Sequence, residues 1–187
     1  LADLATKQNI QLTFGDKSSG NPKWSPDGNW IAFTSNRKDN RNNLYLLSTS
    51  GGEAEPLTDL KSGVSNFAWS PDGRSIAYTM TDPKTEEEEK NDKGRNDWRW
   101  VDENIELSRL YVLSVQKDAN GKREPRKLTT ENYQVEDFDW SSDGSRIACA
   151  CPNVIGRRGD SLDRTGLAIF LLGTRPLRRC RRTHINI

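Results

Sequence analysis

Eleven residues, KWSPDGNWIAF (23–33), return as AWSPDGRSIAY (68–78) and again as DWSSDGSRIAC (139–149). The copies keep a common ruler. Trp24, Trp69 and Trp140 each stand seven residues before an isoleucine, Ile31, Ile76 and Ile147. A Leu-Thr pair begins twelve residues before each tryptophan, at Leu12-Thr13, Leu57-Thr58 and Leu128-Thr129. The spacing is 45 residues from Trp24 to Trp69 and 71 from Trp69 to Trp140, an excess of 26. A period of about 40–45 residues is the length of a four-stranded propeller blade.

The residues between the markers read as strands and turns. SPDG is a type I turn signature, with proline presetting φ, aspartate able to bond nearby backbone and glycine tolerating the exit geometry. SSDG (141–144) lacks only the proline. WIAFTS, NLYLLS (43–48) and AEPLTD (54–59) follow as short apolar runs bounded by turn residues, with RLYVLSV (109–115) and PRKLTT (125–130) as their later counterparts. No helical stripe interrupts them. The fold class is therefore all-β, a partial β-propeller of about three four-stranded antiparallel blades over residues 1–151. It comprises the end of one blade (IQLT), two complete blades and the front half of another. The tryptophans are expected to be wedge-shaped filler between blades. Closed propellers use four to eight blades, and three leave open edges, so a longer parent chain or an assembly is expected to supply the rest. The start at Leu1 points the same way.

The net charge of +1 conceals two opposed segments. The insert at about 82–107 holds ten acids and five bases, and the tail at 152–187 holds eight Arg against two Asp. No apolar run approaches the ~20 residues that span a bilayer, and no signal peptide is visible, so no membrane partner is expected. Three cysteines, Cys149, Cys151 and Cys180, give no disulfide framework. A reducing compartment, the cytoplasm, is expected. CAC has no matching Cys or His pair, so the thiols read as buried or incidental and no metal or other cofactor is expected.

At WSPDGxxIAF…LYLL…GGEAEPLT the sequence resembles the TolB-type, WD40-like repeat. EPLTDLKSGVSNFAWSPDGRSIAYTM, the acidic insert, and LSRLYVLSV…RKLTTENYQVEDFDWSSDG follow in an order that resembles one peptidase family. It is similar to the N-terminal propeller of prolyl oligopeptidase family serine peptidases, in the acylaminoacyl-peptidase and dipeptidyl-peptidase-like branch. The resemblance covers roughly residues 7–151. It implies a propeller that gates the access of short peptides to an α/β-hydrolase catalytic domain of the parent chain. The alternative is a stand-alone TolB-like propeller acting as a protein-binding module.

This chain carries no catalytic set of its own. A G-x-S-x-G elbow is absent, and GRSIA (73–77) lacks its second glycine. The single histidine, His184, stands four residues from the end. GDSL (159–162) would make Ser161 a nucleophile, yet Arg157-Arg158 precede it and Arg181 stands where the partner aspartate of His184 would be. It reads as an accidental match, as does RGD (158–160). DWRWVDEN (97–104) is the candidate substrate-binding stretch. The dipeptidyl-peptidase branch binds the substrate's free amino terminus with an aromatic–acidic propeller segment. By that resemblance Asp102 and Glu103 would hold an ammonium beside Trp98 and Trp100. EEEEKNDKGRND (86–97), before it, reads as a solvated excursion.

After RIACAC, GLAIFLLG (166–173) passes as one strand, but no Leu-Thr follows. Five Arg between 175 and 182 lack interleaved aromatics and any nucleic-acid module, so nucleic acid is not the expected partner. The abrupt loss of the repeat fits a shifted or truncated reading frame, giving an irregular basic tail.

Overall fold

The computed structural model describes residues 1–2, 4–14, 16–83, 107–129, 134–152 and 165–171. Among the described residues there is no helix, and the chain forms two units, Leu1–Gly63 and Val64–Ile187. The first holds one antiparallel meander: β1 (Ser19–Trp24), β2 (Trp30–Ser35), β3 (Asn43–Ser48) and β4 (Glu55–Pro56), in spatial order β1-β2-β3-β4. The second repeats it as β5 (Asn66–Trp69), β6 (Ser75–Thr81), β7 (Ser108–Ser114) and β8 (Arg126–Lys127). It then begins a third sheet, β9 (Asp137–Trp140), β10 (Arg146–Pro152) and β11 (Thr165–Leu171), with β10 in the middle. β11 runs through most of GLAIFLLG and pairs along the whole of β10, from Arg146↔Leu171 to Pro152↔Thr165. The third sheet thus extends past residue 151. The fold is an all-β partial propeller.

The first serine of each repeat closes its hairpin. Ser25 donates its amide to the Trp30 carbonyl (2.8 Å), and its Oγ accepts the Trp30 amide (2.9 Å). The same hydroxyl donates to Asp27 Oδ1 (2.5 Å), whose carboxylate also accepts the Asn29 amide (3.1 Å). Ser70, Asp72, Arg74 and Ser75 reproduce the set, with Oγ–carboxylate and Oγ–amide distances of 2.6 and 2.9 Å. Ser141, Asp143, Ser145 and Arg146 do so again at 2.6 and 2.9 Å. The third turn makes every bond without a proline, so the proline acts by restricting the unfolded chain. Gly28, Gly73 and Gly144 share a φ near +70° (72, 68 and 69°), where a side chain is strained.

These bonds pull the aspartates down. The hydroxyl of Ser141, with the amide and hydroxyl of Ser145, holds Asp143 at about 2, and Ser25 and Ser70 lower Asp27 and Asp72 in the same way. A carboxylate depressed only in the folded chain stabilises fully above its ordinary value of 3.8 and loses that contribution as pH falls toward the folded value.

The Leu-Thr marker differs from expectation. It lies past the short strands β4 and β8, and its threonine ends the sheet with a side chain. Leu57 donates its amide to the Leu44 carbonyl (2.8 Å), and the Leu44 amide then turns to Thr58 Oγ1 (2.9 Å). Thr58 passes its own proton to Asn43 Oδ1 (2.9 Å). Leu128 and Thr129 repeat the first two bonds on Leu110, at 2.8 and 3.0 Å. A buried amide must find an acceptor, and the hydroxyl supplies one where the ladder stops. Residues 10–13, expected as the last strand of an earlier blade, form none. No strand among the described residues stands beside them, and Leu12 contributes by packing on Phe33, Tyr45 and Leu47.

Both faces of the inner strands are buried, which explains their apolar runs: β2 hides Ala32 as well as Ile31 and Phe33, and β6 hides Ala77 as well as Ile76 and Tyr78. In the second unit the β9–β10 face packs on β5–β7 through Ala77, Leu110, Phe138, Ile147 and Cys149, with Ala68 and Val112 against them. Trp140 fills this seam as expected, its Nε1 donating to the Ala68 carbonyl (3.3 Å). Trp24 does not behave as filler. It is 52% exposed on the face it shares with Ile31, and Leu12 and Ala54 pack there on the Phe33 cluster where Trp140 meets a whole sheet.

Thr129→Val keeps the shape and removes the acceptor from the fully buried Leu110 amide. Urea denaturation should show a loss of about 1–3 kcal/mol, the desolvation cost of an orphaned donor. Asp143→Asn should lower the urea midpoint above pH 4, with the difference from wild type shrinking as pH approaches 2.

Candidate functional site at the root of the acidic insert

The acidic insert leaves the second sheet at Asp82, directly after β6, and returns at Leu107, directly before β7. The Asp82 amide donates to the Leu107 carbonyl (3.3 Å), so its two ends meet. Around this point four side chains converge, Asp82 from just past β6, Arg109 and Tyr111 from β7 and Lys127 from β8. The Asp82 carboxylate accepts Arg109 Nε (2.9 Å), Lys127 Nζ (2.7 Å) and the Tyr111 hydroxyl (3.2 Å). Lys127 Nζ also lies 5.9 Å from the Tyr111 ring centre, and Tyr111 stacks on Tyr78 at 5.6 Å and 15°.

Local sequence dictates this geometry. Tyr78 and Tyr111 are opposite in the β6–β7 register, and Tyr111 is opposite Lys127 in β7–β8, so all three share a face. Arg109, two residues before Tyr111, falls on that face too. The first sheet places Phe33 opposite Tyr45, stacked at 5.9 Å, and covers both rings with Arg37 at 5.4 and 4.6 Å. The same aromatic pair is thus capped by a cation in each sheet, and in the second the cation is held by Asp82.

The electrostatics follow from burial and pairing. Burial pushes Asp82 up, but the hydrogen bonds and charges of Lys127 and Arg109 outweigh it and hold the carboxyl below its ordinary value. Burial pushes Tyr111 up to about 12, with the Asp82 charge adding to it. Burial, with neighbouring Tyr111 adding to it, drives Tyr78 higher still, and its hydroxyl oxygen is enclosed without a hydrogen-bond partner. Asp82 is fully engaged: its charge is spent within the sheet, fixing where the insert starts and ends.

Trp98, Trp100, Asp102 and Glu103 lie outside the described residues, as do Ser161, His184, Cys180 and the arginines of the tail. Among the described residues, no group of three or more His, Cys, Asp and Glu could hold a metal, and no helix is long and apolar enough to cross a membrane. The Asp82 cluster escaped sequence reasoning because its other members stand 27 to 45 residues from Asp82 in the chain. The available signal was the aromatic pair in register and the acid closing the β6 strand.

Over 63 residues the chain is 46% identical to the uncharacterized peptidase YuxL of Bacillus subtilis, a match covering 34% of this chain and 10% of that protein. TolB of Acinetobacter baumannii is similar in structure with a TM-score of 0.57 at 19% identity, over 92% of this chain and 34% of that one. The tricorn protease gives 0.58 at 14% identity, over 91% and 15%. The chain is a partial β-propeller of the type shared with TolB. An acylaminoacyl peptidase of Pyrococcus horikoshii resembles this propeller with a TM-score of 0.50 at 15% identity, over 83% and 24% of the two chains. No family model matches the propeller. It spans a tenth of the length of the curated relative it matches.

Asp82→Ala removes the carboxylate that Arg109 and Lys127 share. Because Asp82 is about one-third exposed, water moderates the loss, and urea denaturation should show about 1–2 kcal/mol. Tyr78→Phe removes an unsatisfied hydroxyl and should leave stability unchanged or raise it by up to about 1 kcal/mol.

Proposed function

We propose that the chain is a propeller segment of a prolyl oligopeptidase family serine peptidase, gating peptide access to an α/β-hydrolase domain elsewhere in the parent chain. The observation that carries this reading is the 46% identity to a peptidase, on a fold shared with an acylaminoacyl peptidase. The chain's own chemistry agrees. It has no G-x-S-x-G and one histidine, so nucleophile and base must come from the remainder of the parent. The propeller's part is exclusion and positioning. Inner strands such as β2 and β6, buried on both faces, do not part easily, and the insert springs from a point clamped by Asp82.

The insert supplies the contact with substrate. With Asp82 neutralised by Arg109 and Lys127, the acids left to attract a peptide's ammonium are those between the two roots. Asp102 and Glu103 accept it by charge-assisted hydrogen bonds, and Trp98 and Trp100 offer ring faces to the same cation. The cytoplasm is the proposed location. The similarity to TolB supports a second reading, a propeller that binds proteins and has no hydrolase attached.

The full-length parent tests both. A fluorophosphonate should label it at a serine outside residues 1–187; labelling at Ser161, or none, overturns the peptidase reading, and none favours the second. In the unlabelled full-length enzyme, Asp102→Asn with Glu103→Gln should raise KM for free-amine peptides about 10–100-fold, the worth of one charged hydrogen bond, and spare N-acylated ones. An unchanged KM for free-amine peptides would remove the amine anchor and leave the gate.

A further inference from the structure

The seam of the second unit contains a feature that the gating reading does not use. Cys149 and Cys151 occupy successive positions on one face of β10, the middle strand of the third sheet. Their sulfurs are 3.2 Å apart, and the residues are 1% and 5% exposed among Ala77, Leu110, Val135, Phe138 and Ile147. The repeat gives Cys149 a meaning. It stands two residues after the isoleucine of its copy, where the other copies place Phe33 and Tyr78, each in a stacked aromatic pair. One copy of three has exchanged a ring for a thiol and set a second thiol beside it. The Cys149 thiol, hydrogen bonded to Cys151, holds Cys151 below its ordinary value, against burial and the charge of Glu136.

We propose that Cys149 and Cys151 form a peroxide-sensitive modification site that closes reversibly to an intrastrand disulfide. The Cys151 thiolate attacks one oxygen of the hydroperoxide, the O–O bond breaks, and the departing oxygen leaves as water or alcohol. The resulting sulfenic acid is attacked by the sulfur of Cys149, and the S–O bond breaks as the S–S bond forms. Hydroxide leaves and takes the Cys149 proton as water. The sulfur pair loses two electrons and the peroxide gains two. Local opening of the sheet admits the oxidant.

Geometry makes the product reversible. Two residues of strand span about 6.6–6.8 Å between Cα atoms, the upper edge of the range a disulfide tolerates. The sulfurs must close from 3.2 Å to about 2.05 Å, which contracts the pleat where Cys149 faces Phe138 in β9. A strained bond of this kind is easily reduced. The cost falls on the packing of β10 against Ala77 and Leu110, so the oxidised chain should melt at a lower temperature than the reduced one.

The test treats the reduced full chain with hydrogen peroxide, blocks remaining thiols and maps the tryptic peptides. Cleavage after Arg146 and Arg157 isolates both cysteines from Cys180 in a single peptide, 147–157. That peptide should lose two hydrogens, escape alkylation and recover both thiols with dithiothreitol. Peptide 147–157 alkylated twice after oxidation, or linked to Cys180 or to a second chain, would overturn the proposal. In Cys149→Ser the reaction should stop at a sulfenic acid trapped by dimedone, while Cys180→Ser should behave as wild type. Because the wild-type map stands by itself, a variant that fails to fold leaves the result intact.

Discussion

The first hairpin of each sheet is closed by one serine hydroxyl that accepts and donates at once. Ser25, Ser70 and Ser141 take the amide five residues on and give their proton to the aspartate two residues on. The arrangement fixes the register of the two strands it joins, because a one-residue slip would send every buried side chain to the opposite face. It also fixes the phase of the blade: seven residues from tryptophan to isoleucine is the length of the turn plus one pair, Trp24↔Ile31, Trp69↔Ile76 and Ile147↔Trp140. The distant end of the sheet is closed by the same chemistry with threonine in place of serine.

Once register is fixed, the faces follow. Isoleucine, then an aromatic or Cys149, alternate with alanine along the second strand of each sheet, and both sets are buried in the first two sheets, whereas Ala148 of the third is half-buried. In the second unit, Trp140 reaches across the seam to the Ala68 carbonyl and binds one sheet to the next. The aromatic pairs carry cations over their rings, and in the second sheet that cation is tethered by Asp82. The anchoring of the insert is therefore a variation on a packing motif already present in the first sheet, where Arg37 does the capping alone. The acidic insert leaves the second sheet at the place where the first sheet also keeps a charge.

Much of the architecture was legible because it depends on local chemistry repeated at constant spacing. SPDG and SSDG announced the turns, and WIAF, LYLL and their copies the inner strands. What escaped was what depends on neighbours distant in the chain. Leu-Thr looked like a strand because threonine favours strands, yet its hydroxyl acts by ending one. Trp24 and Trp140 hold the same place in the repeat, and their burial differs because only Trp140 has a further sheet packed on its face among the described residues. The Asp82 cluster draws on positions spread over 45 residues and has no linear motif. Trp98, Trp100, Asp102 and Glu103 were picked out by resemblance, and their positions fall between the two roots that the structure brings together.

Side-chain hydroxyls close these sheets as much as the ladders do. Native-state hydrogen exchange measures this residue by residue. The amides of Trp30, Ser75 and Arg146, held by serine, and of Leu44 and Leu110, held by threonine, should exchange as slowly as the central ladder amides of the same sheets. Exchange of these five amides at the rate of open turns, with the ladders still protected, would contradict the account.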